Sequence, residues 1–402
     1  MITPRILVLD DDPFALKLLA RQLAGLGVPD VEVFTSGEAA LAALERIYAA
    51  DLVLVDLNMP GMDGVEFLRH LGERGYPGSL ALVSSEDLRI LETAERLADG
   101  HGLQVLGHLT KPVAPKPLQD LLARWRSRAP ARPVRSKKTY DAQEVRRAIE
   151  QHELLNYYQP KVELATGELR GVETLVRWLH PEDGLVFPDQ FIGVAEEHGL
   201  IDALTRVVLS GALAQAQRWR AGGLSLRVAV NVSMDNVRRL DFADYVASEV
   251  ERHGLAPSDL ILEVTESRLM QDAQNALDVL TRLRLKRFSL SIDDFGTGHS
   301  SLTQLRNIPF DELKIDQSFV HGAAQDGTRR AIFEASLNIA RQLGMTSVAE
   351  GVEDAADWAY LQSAGCDLAQ GYFIAKPMPG GALPTWRVDW QDRHVTLRSE
   401  RT

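Results

Sequence analysis

The residues best suited to chemistry lie in the stretch 289–301, where an apolar alternating run ends in Asp293 and Asp294 and a Gly-Thr-Gly turn follows. The alternation is typical of a β-strand, on which neighbouring side chains face opposite sides. Both carboxylates can turn toward one site only at a frayed strand end, and the glycines permit that backbone. Neighbouring carboxylates repel each other unless a cation or a shared proton compensates. The stretch therefore favours a site for one or two divalent metals; the alternative is a solvated strand cap before an ordinary glycine turn.

Six strand-like runs in the C-terminal part of the chain carry polar residues, namely Asn231, Glu263, Asp293, Lys314, Glu350 and Gln370. These residues recur at intervals of 32, 30, 21, 36 and 20. One strand–helix unit of an eight-fold barrel takes roughly 30 residues, and the catalytic groups of such barrels gather at the carboxyl ends of the strands. The spacing therefore predicts a TIM-like (β/α)8 barrel with a polar site at that rim.

The candidate metal ligands of this site are Glu173, Asn231, Glu263, Asp293 and Asp294. They offer hard oxygen atoms and no thiolate, which favours Mg²⁺ or Mn²⁺ over structural zinc. Asp293 can bridge two ions, with Asp294 on the second. A two-metal site activates a water molecule and stabilises the leaving oxygen of an in-line phosphoryl displacement. Lys314 and Glu350 could then orient or deprotonate that water.

The first 123 residues alternate strand-like and helix-like segments, which predicts a doubly wound parallel sheet. The predicted strands are 6–9, 52–55, 80–83 and 104–110. Ligands of such sheets bind beyond the carboxyl ends of the strands. That edge collects Asp10, Asp11, Asp56, Ser84 and Lys111. The set fits a phosphoacceptor, because the acids can hold Mg²⁺, Asp56 can attack a phosphoryl group and Lys111 can balance the charge.

Composition sets the broad class of the protein. The 402 residues suffice for two or three domains, and 45% hydrophobic with 25% charged residues is ordinary for a soluble protein. A formal net charge of -12 argues against affinity for nucleic-acid backbone, so no DNA partner is expected. No apolar run approaches the ~20 residues of a membrane span, and we expect no signal peptide, because a strand-like segment follows directly after the first five residues. With Cys366 as the single cysteine, we expect a cytoplasmic protein without membrane insertion.

The segment 173–178, ETLVRW, resembles the signature of EAL-domain cyclic di-GMP phosphodiesterases, with Thr174 in place of alanine. The resemblance runs from about residue 140 to residue 379. It includes the motifs at 231–233, 263–267, 293–298, 313–316, 350–353 and 370–372. It implies a modified (β/α)8 barrel with an antiparallel first strand, which hydrolyses cyclic di-GMP to linear pGpG with two Mg²⁺ or Mn²⁺ ions.

The resemblance also implies a role for each matching residue. The metal ligands would be Glu173, Asn231, Glu263, Asp293 and Asp294. Lys314 and Glu350 would position the nucleophilic water and, with Glu173 and Asp293, form the catalytic set. Substrate would contact Arg177, Asp316, Glu353 and Gln370, with Arg177 as a bidentate donor to a phosphate. Glu266 would anchor a regulatory loop that contains Phe295, Gly296, Thr297 and Gly298.

The N-terminal segment resembles the receiver domain of bacterial response regulators. This resemblance implies phosphorylation of Asp56, with Mg²⁺ held by Asp10, Asp11, Asp56 and the carbonyl group of Asn58. Ser84 would be the switch hydroxyl beside Lys111. His108 occupies the place of the usual Tyr or Phe that reorients on activation.

The whole chain resembles response regulators with an EAL output, an arrangement found in pseudomonads. We therefore expect a receiver at 1–125, a linker at 126–140 and an EAL-type barrel at 141–390. The region 124–138 holds seven Lys or Arg, two prolines and no acidic residue, so it cannot build a core. A cognate sensor histidine kinase is the implied partner. A homo-oligomer, dimer or tetramer, is expected to link the receiver to barrel activity.

Two other functions fit parts of the pattern. A degenerate barrel could bind cyclic di-GMP as a sensor without hydrolysing it, but every ligand position is filled here, which favours the enzyme. A DNA-binding regulator would need a small basic output domain, which the acidic barrel pattern does not provide.

Overall fold

The structure is a computed structural model and describes residues 5–46, 50–127, 140–265, 273–297, 305 and 308–399. The chain separates into two compact units, with the division between residues 135 and 136. Most of the predicted linker lies outside the described residues, and the predicted domain limits stay predictions.

The N-terminal unit alternates strands and helices. Its elements are β1 (Ile6–Leu9), α1 (Pro13–Gly25), β2 (Val31–Phe34), α2 (Gly37–Arg46), β3 (Leu52–Asp56), α3 (Gly64–Glu73), β4 (Ser79–Ser84), α4 (Leu88–Gly100), β5 (Gln104–Thr110) and α5 (Pro115–Ser127). All strand pairs are parallel and the order is β2-β1-β3-β4-β5. The predicted doubly wound sheet is confirmed.

Helices on both faces of this sheet explain its continuous apolar strands. On β1, Leu7 and Leu9 belong to one buried cluster, and Ile6 and Val8 belong to the other. A central strand of a two-faced sheet needs apolar residues at every position, so it reads as an unbroken hydrophobic run. The edge strand β2 is only partly buried and carries Glu32, which is why the sequence pattern did not reveal it.

The C-terminal unit is longer. Its elements are α6 (Ala142–Glu150), β6 (Leu154–Glu163), β7 (Leu169–His180), β8 (Gly184–Val186), α7 (Ile192–Glu197), α8 (Ile201–Ala221), β9 (Arg227–Val232), α9 (Met234–Val237), α10 (Phe242–Arg252), β10 (Leu260–Thr265), α11 (Ala273–Leu285), β11 (Ser289–Phe295), β12 (Glu312–Ile315), α12 (Gln317–Val320), α13 (Gly327–Leu343), β13 (Thr346–Ala349), α14 (Ala355–Ala364), β14 (Leu368–Ala369), β15 (Met378–Pro379) and α15 (Leu383–Ser399). Helix α6 begins after the N-cap Asp141, whose side chain accepts hydrogen bonds from Gln143 N–H and Glu144 N–H.

Eight strands close into a barrel. They pair in the order β6-β14-β13-β12-β11-β10-β9-β7, and β7 returns to β6. The strand β6 is antiparallel to both of its neighbours, whereas the other pairs are parallel. The predicted barrel and its antiparallel first strand are confirmed. Among the described residues, no helix has both the length and the apolar character needed to cross a membrane.

Parallel strands bring their carboxyl ends to one rim, which positions the candidate site. Glu350 and Gln370 each follow directly after a barrel strand, β13 and β14. Gln370 is therefore not inside a strand, although the sequence analysis placed it in a strand-like run. The backbone N–H of Gln370 donates to Ala349 O, and Val352 N–H donates back to Gln370 O. These bonds tie the two strand ends together.

Candidate active site

The ammonium group of Lys314 lies at the centre of the polar rim and is almost fully buried, with 1% of the residue exposed. Its Nζ is 2.9 Å from Asp293 Oδ1 and 2.9 Å from Glu350 Oε1. It is also 3.2 Å from Glu263 Oε2 and 3.5 Å from Glu173 Oε2. Charged side chains from four strands, and from the residue that follows a fifth strand, thus converge at one point inside the barrel.

Two groups of carboxylates around Lys314 have oxygen atoms within 4.8 Å of one another. One group is Glu173, Glu263 and Asp293, and the other is Asp293, Asp294 and Glu350. Asp293 belongs to both groups, so it lies where a residue that bridges two cations would have to lie. Asn231 Nδ2 donates to Glu173 Oε1 at 3.0 Å, which places this amide beside the first group.

The backbone at Asp294 explains how two consecutive carboxylates reach the same rim. Asp294 has φ +55°, in the left-handed region, and the pairing of β11 with β12 shifts register between Ile292 and Phe295. Aspartate tolerates this conformation better than most residues. Gly296, at φ +98°, continues the turn, and Thr297 Oγ1 donates to Asp294 O at 2.9 Å. The sequence predicted a frayed strand end, whereas β11 continues to Phe295, and the irregular pairing at the left-handed residue Asp294 takes the place of fraying.

Burial and mutual repulsion dominate the ionisation of this cluster. Burial raises the pKa of Glu173, and it raises the pKa of Glu350 well above its usual range although Lys314 opposes the shift. Burial, together with Asp293, raises the pKa of Asp294 to about 6. For Glu263 the effect of burial is outweighed by Lys161 and Lys314, so its pKa is lowered. The ionised form of Glu173, Asp294 and Glu350 is therefore disfavoured unless a further cation binds, because the ammonium groups of the protein compensate the negative charge only in part.

A lower layer of polar side chains, consisting of Lys161, Ser291 and Glu312, lies in the barrel interior below the rim. It was not predicted from the sequence. Lys161 Nζ is 2.7 Å from Glu263 Oε1 and 2.7 Å from Glu312 Oε1. Ser291 Oγ donates to the same oxygen of Glu312 at 3.1 Å. Period-two alternation could have placed these charges inside the barrel, because Lys161 is on the same strand face as Gln159, and Glu312 is on the same strand face as Lys314.

A polar cleft of about 310 Å³ opens over the cluster. Its lining includes Gln159, Glu173, Asp294, Asp316, Gln317, Glu350, Gly351, Glu353, Gln370, Gly371 and Tyr372. Three of the four predicted substrate-binding residues therefore line one cavity: Asp316, Glu353 and Gln370. Gln370 Nε2 donates to Glu173 Oε2 and, at 3.0 Å, to Gln159 Oε1, so it also holds a candidate metal ligand.

Arg177, the fourth predicted substrate-binding residue, is buried and does not join the acidic cluster. Its guanidinium carbon lies 5.1 Å from the ring centre of Phe187 and 5.8 Å from that of Tyr157. Nη1 donates to Val176 O at 2.8 Å. Burial lowers the pKa of this guanidinium. Contact between Arg177 and a substrate phosphate stays a prediction.

The predicted regulatory loop is described only in part. Glu266 and Gly298 lie outside the described residues. Phe295 is buried at the end of β11, and Gly296 and Thr297 form the exposed turn after it. An added Cβ at Gly296 would come within 2.9 Å of the Phe319 ring, so the turn packs against α12.

The receiver unit contains the predicted acidic site at the carboxyl edge of its sheet. Oxygen atoms of Asp10, Asp11 and Asp56 lie within 4.8 Å of one another. Lys111 Nζ is 2.7 Å from Asp10 Oδ2 and 2.7 Å from Asp56 Oδ2. Burial raises the pKa of Asp56, although Lys111 opposes the shift. Asn58 N–H donates to Asp56 Oδ1 at 3.2 Å, which places Asn58 beside the cluster.

Ser84 and His108 are the predicted switch residues besides Lys111. Ser84 is buried at the end of β4, and its Oγ accepts a hydrogen bond from Glu86 N–H at 3.2 Å. His108 on β5 has Nδ1 2.9 Å from Glu95 Oε1 on α4. His108 is thus connected to a helix of the surface rather than to the acidic cluster.

Comparison with known proteins agrees with this geometry. The EAL domain family matches residues 142–377, and the response regulator receiver domain family matches residues 6–123. The cyclic di-GMP phosphodiesterase RocR of Pseudomonas aeruginosa is 33% identical over 93% of this chain and 96% of RocR. The bifunctional diguanylate cyclase/cyclic di-GMP phosphodiesterase MucR of the same organism is 42% identical over 60% of this chain and 35% of MucR.

A solved structure resembles the barrel. The PaMucR phosphodiesterase in its c-di-GMP complex has a TM-score of 0.57 at 42% identity, covering 60% of this chain and 98% of that chain. The chain belongs to the EAL domain family. Because its similarity to RocR extends over both units, it joins the EAL domain to a response regulator receiver domain.

The partly compensated charge of the barrel predicts stabilisation by divalent cations. We expect Mg²⁺ or Mn²⁺ to raise the melting temperature of the barrel, because a ligand of the native state at 100 times its Kd adds about 2.7 kcal/mol. Each kcal/mol of added stability raises the melting temperature by roughly 2–4 °C in a domain of 150–250 residues. Differential scanning calorimetry of the full chain measures the shift.

Asp293→Asn should reduce this shift, because it removes the carboxylate shared by both groups. Asp278→Asn, which changes an exposed carboxylate on α11, is the matched control. Its melting temperature should rise with Mg²⁺ or Mn²⁺ as much as that of the wild type. Equal shifts in all three proteins would contradict a cation site at the rim.

Proposed function

We propose that this protein is a phosphorylation-regulated cyclic di-GMP phosphodiesterase, which hydrolyses one phosphodiester bond of cyclic di-GMP to give linear pGpG. The observation that carries the proposal is the convergence of Asp293, Glu350 and Lys314 beneath a polar cleft at the carboxyl rim of the barrel. The names of RocR and MucR, both with cyclic di-GMP phosphodiesterase activity, support the choice of substrate.

The residues at the rim fit a pair of divalent cations. Five carboxylates and one ammonium group gather there: Glu173, Glu263, Asp293, Asp294, Glu350 and Lys314. When all are ionised they leave four negative charges, which two divalent cations would balance. The donors are oxygen atoms, as Mg²⁺ and Mn²⁺ prefer. Glu173, Asn231, Glu263, Asp293 and Asp294 are the proposed ligands.

Bound cations would supply Lewis-acid charge that offsets the negative charge of the scissile phosphate. Glu350 takes a proton from the attacking water, whose oxygen bonds to phosphorus while the bond from phosphorus to the 3′-oxygen breaks. The departing 3′-oxygen takes up a proton from solvent and Glu350 returns its proton to solvent, so that one water molecule is consumed in total. Lys314, 2.9 Å from Glu350, offsets part of the rise in pKa that burial gives this base, and bound cations would offset more of it.

The cleft residues orient the dinucleotide in this proposal. Asp316 and Glu353 are acceptors that can bind N–H groups of a guanine base, and exposed Tyr372 offers a ring for stacking. Gln370 holds Glu173 in place from the side of β14. Arg177 is the proposed donor to a substrate phosphate.

The central test is incubation of the purified full chain with cyclic di-GMP and Mg²⁺ or Mn²⁺, followed by chromatographic separation of the products. We expect pGpG from the wild type and from Asp278→Asn, and no turnover by Glu173→Ala or Asp293→Ala. Ca²⁺ should inhibit, because its larger and looser coordination fits such a site poorly. Binding of cyclic di-GMP without any hydrolysis by the wild type would favour a sensor and refute the enzyme.

Glu350→Gln should separate binding from chemistry. The substitution keeps the size of the side chain but removes its capacity to accept a proton, so kcat should fall at least ~10²-fold, as is typical of general-base loss. Cyclic di-GMP should still bind, as measured by calorimetry. Loss of binding together with turnover would make Glu350 part of the binding framework instead.

The receiver unit supports regulation through phosphorylation of Asp56. A sensor histidine kinase is the proposed phosphoryl donor, and Mg²⁺ beside Asp10 and Asp11 would be required. A phosphoryl group adds about -2 charge and can bind Lys111 and Ser84 through charge-assisted hydrogen bonds. We propose that this change acts on the barrel through contacts between protomers of a homo-oligomer, by shifting the populations of two states.

Occupancy of Asp56 should therefore change the phosphodiesterase rate, with activation as the expected sign. Beryllofluoride, a phosphoryl mimic, is added to the wild type and to Asp56→Asn, and pGpG formation is timed. Only the wild type should respond. Equal wild-type rates with and without beryllofluoride, at confirmed receiver occupancy, would show that the receiver does not control the barrel.

A further inference from the structure

The lower layer of Lys161, Ser291 and Glu312 places two charged side chains in a barrel interior, where their desolvation is unfavourable. Lys161 and Glu312 are 2% and 3% exposed, and Ser291 is fully buried. Barrel interiors of this type are usually filled by bulky branched apolar side chains. Replacement of a buried ion pair by apolar residues is often neutral or stabilising, so stability alone does not explain the pair.

The distinguishing feature of the lower layer is its contact with Glu263. Lys161 Nζ approaches Glu263 Oε1 at 2.7 Å, whereas Lys314 Nζ approaches Glu263 Oε2 at 3.2 Å. Each carboxylate oxygen therefore has its own ammonium partner, on opposite sides of the group. Such a pair of contacts fixes both the position and the rotation of the carboxylate.

The two lysines differ in what else they contact. Lys314 also lies within 3.5 Å of Glu173, Asp293 and Glu350, inside the group of proposed ligands. Lys161 forms its ion pairs, among the described residues, with Glu263 and Glu312. Glu312, itself bound by Ser291, holds the ammonium of Lys161 against Glu263.

We propose that Lys161, held by Glu312 and Ser291, is a positioning residue that directs Glu263 Oε2 toward the cation site at the rim. The proposal rests on the proposed function, because it takes Glu263 as a metal ligand. Groups that hydrogen-bond a metal ligand from behind orient it, and their loss typically weakens metal affinity about 10- to 100-fold.

The test is Mn²⁺ binding to the full chain without substrate, measured by the electron paramagnetic resonance of free Mn²⁺. Lys161→Met should weaken binding by the barrel about 10- to 100-fold. The receiver is identical in every variant, so differences in binding come from the barrel. If Lys161 acted through its charge alone, its removal would strengthen cation binding, which is the opposite sign.

A double variant separates positioning from stability. Lys161→Met leaves Glu312 buried without its cation and should lower the melting temperature. Lys161→Met/Glu312→Gln removes both charges of the pair, so it should recover much of the melting temperature while Mn²⁺ binding stays weak. Leu213→Ala creates a cavity at a buried position of α8 and is the control for destabilisation. This variant should bind Mn²⁺ like the wild type.

Mn²⁺ binding that is unchanged or tighter in both Lys161 variants would overturn the positioning role. In that case the wild type would still hydrolyse cyclic di-GMP, so the proposed function would stand. If the wild-type barrel binds no Mn²⁺, the metal-dependent function fails and the positioning role fails with it. Recovery of Mn²⁺ affinity together with stability in the double variant would also overturn the proposal.

Discussion

Repulsion between buried carboxylates is the constraint on which the barrel site depends. Glu173, Glu263, Asp293 and Glu350 all approach one ammonium group, Lys314, within 3.5 Å. Two unit charges 4 Å apart interact by about 4 kcal/mol at an effective dielectric constant of 20. A closed barrel admits little water to screen such charges, so positive charge must be supplied by the protein or by bound cations. The site thus concentrates carboxylates at a position where a cation can bind.

Because β6 is antiparallel to its neighbours, its chain runs from the rim to the lower level of the barrel interior, whereas β11 and β12 run from the lower level to the rim. Gln159 pairs with Glu173 across β6 and β7, at the level of the rim. Lys161, two residues further along β6, faces the same side but lies opposite Gly171, which is nearer the amino end of β7. The same strand therefore supports the rim through Gln370 and Gln159 and supports Glu263 from below through Lys161.

Most of the proposed ligands of the rim could be predicted from the sequence because they end, or directly follow, an apolar run, and the barrel rule then brings those ends together. Glu173 lies inside β7 instead, and its role was implied by the resemblance of 173–178 to the EAL signature. Lys161 and Glu312 could not be predicted in the same way, since a lone charge inside a strand pattern usually marks a solvated face. Lys161 is 102 residues from Glu263 and 151 residues from Glu312 in the chain, and only closure of the barrel brings them together. The edge strand β2 escaped prediction for a local reason, because partial exposure breaks the apolar run.

The two units use the same electrostatic motif at different depths. In the receiver, Lys111 bridges Asp10 and Asp56 and its side chain is 23% exposed. In the barrel, Lys314 bridges Asp293 and Glu350 and its side chain is 1% exposed. In the proposed role of Asp56 as phosphoacceptor, its partner cation would have to move with the new charge, and a partly exposed lysine can do so at small cost. A carboxylate set that must keep its geometry through many turnovers needs the opposite, and the fully buried lysine, whose contacts are fixed on every side, meets that need.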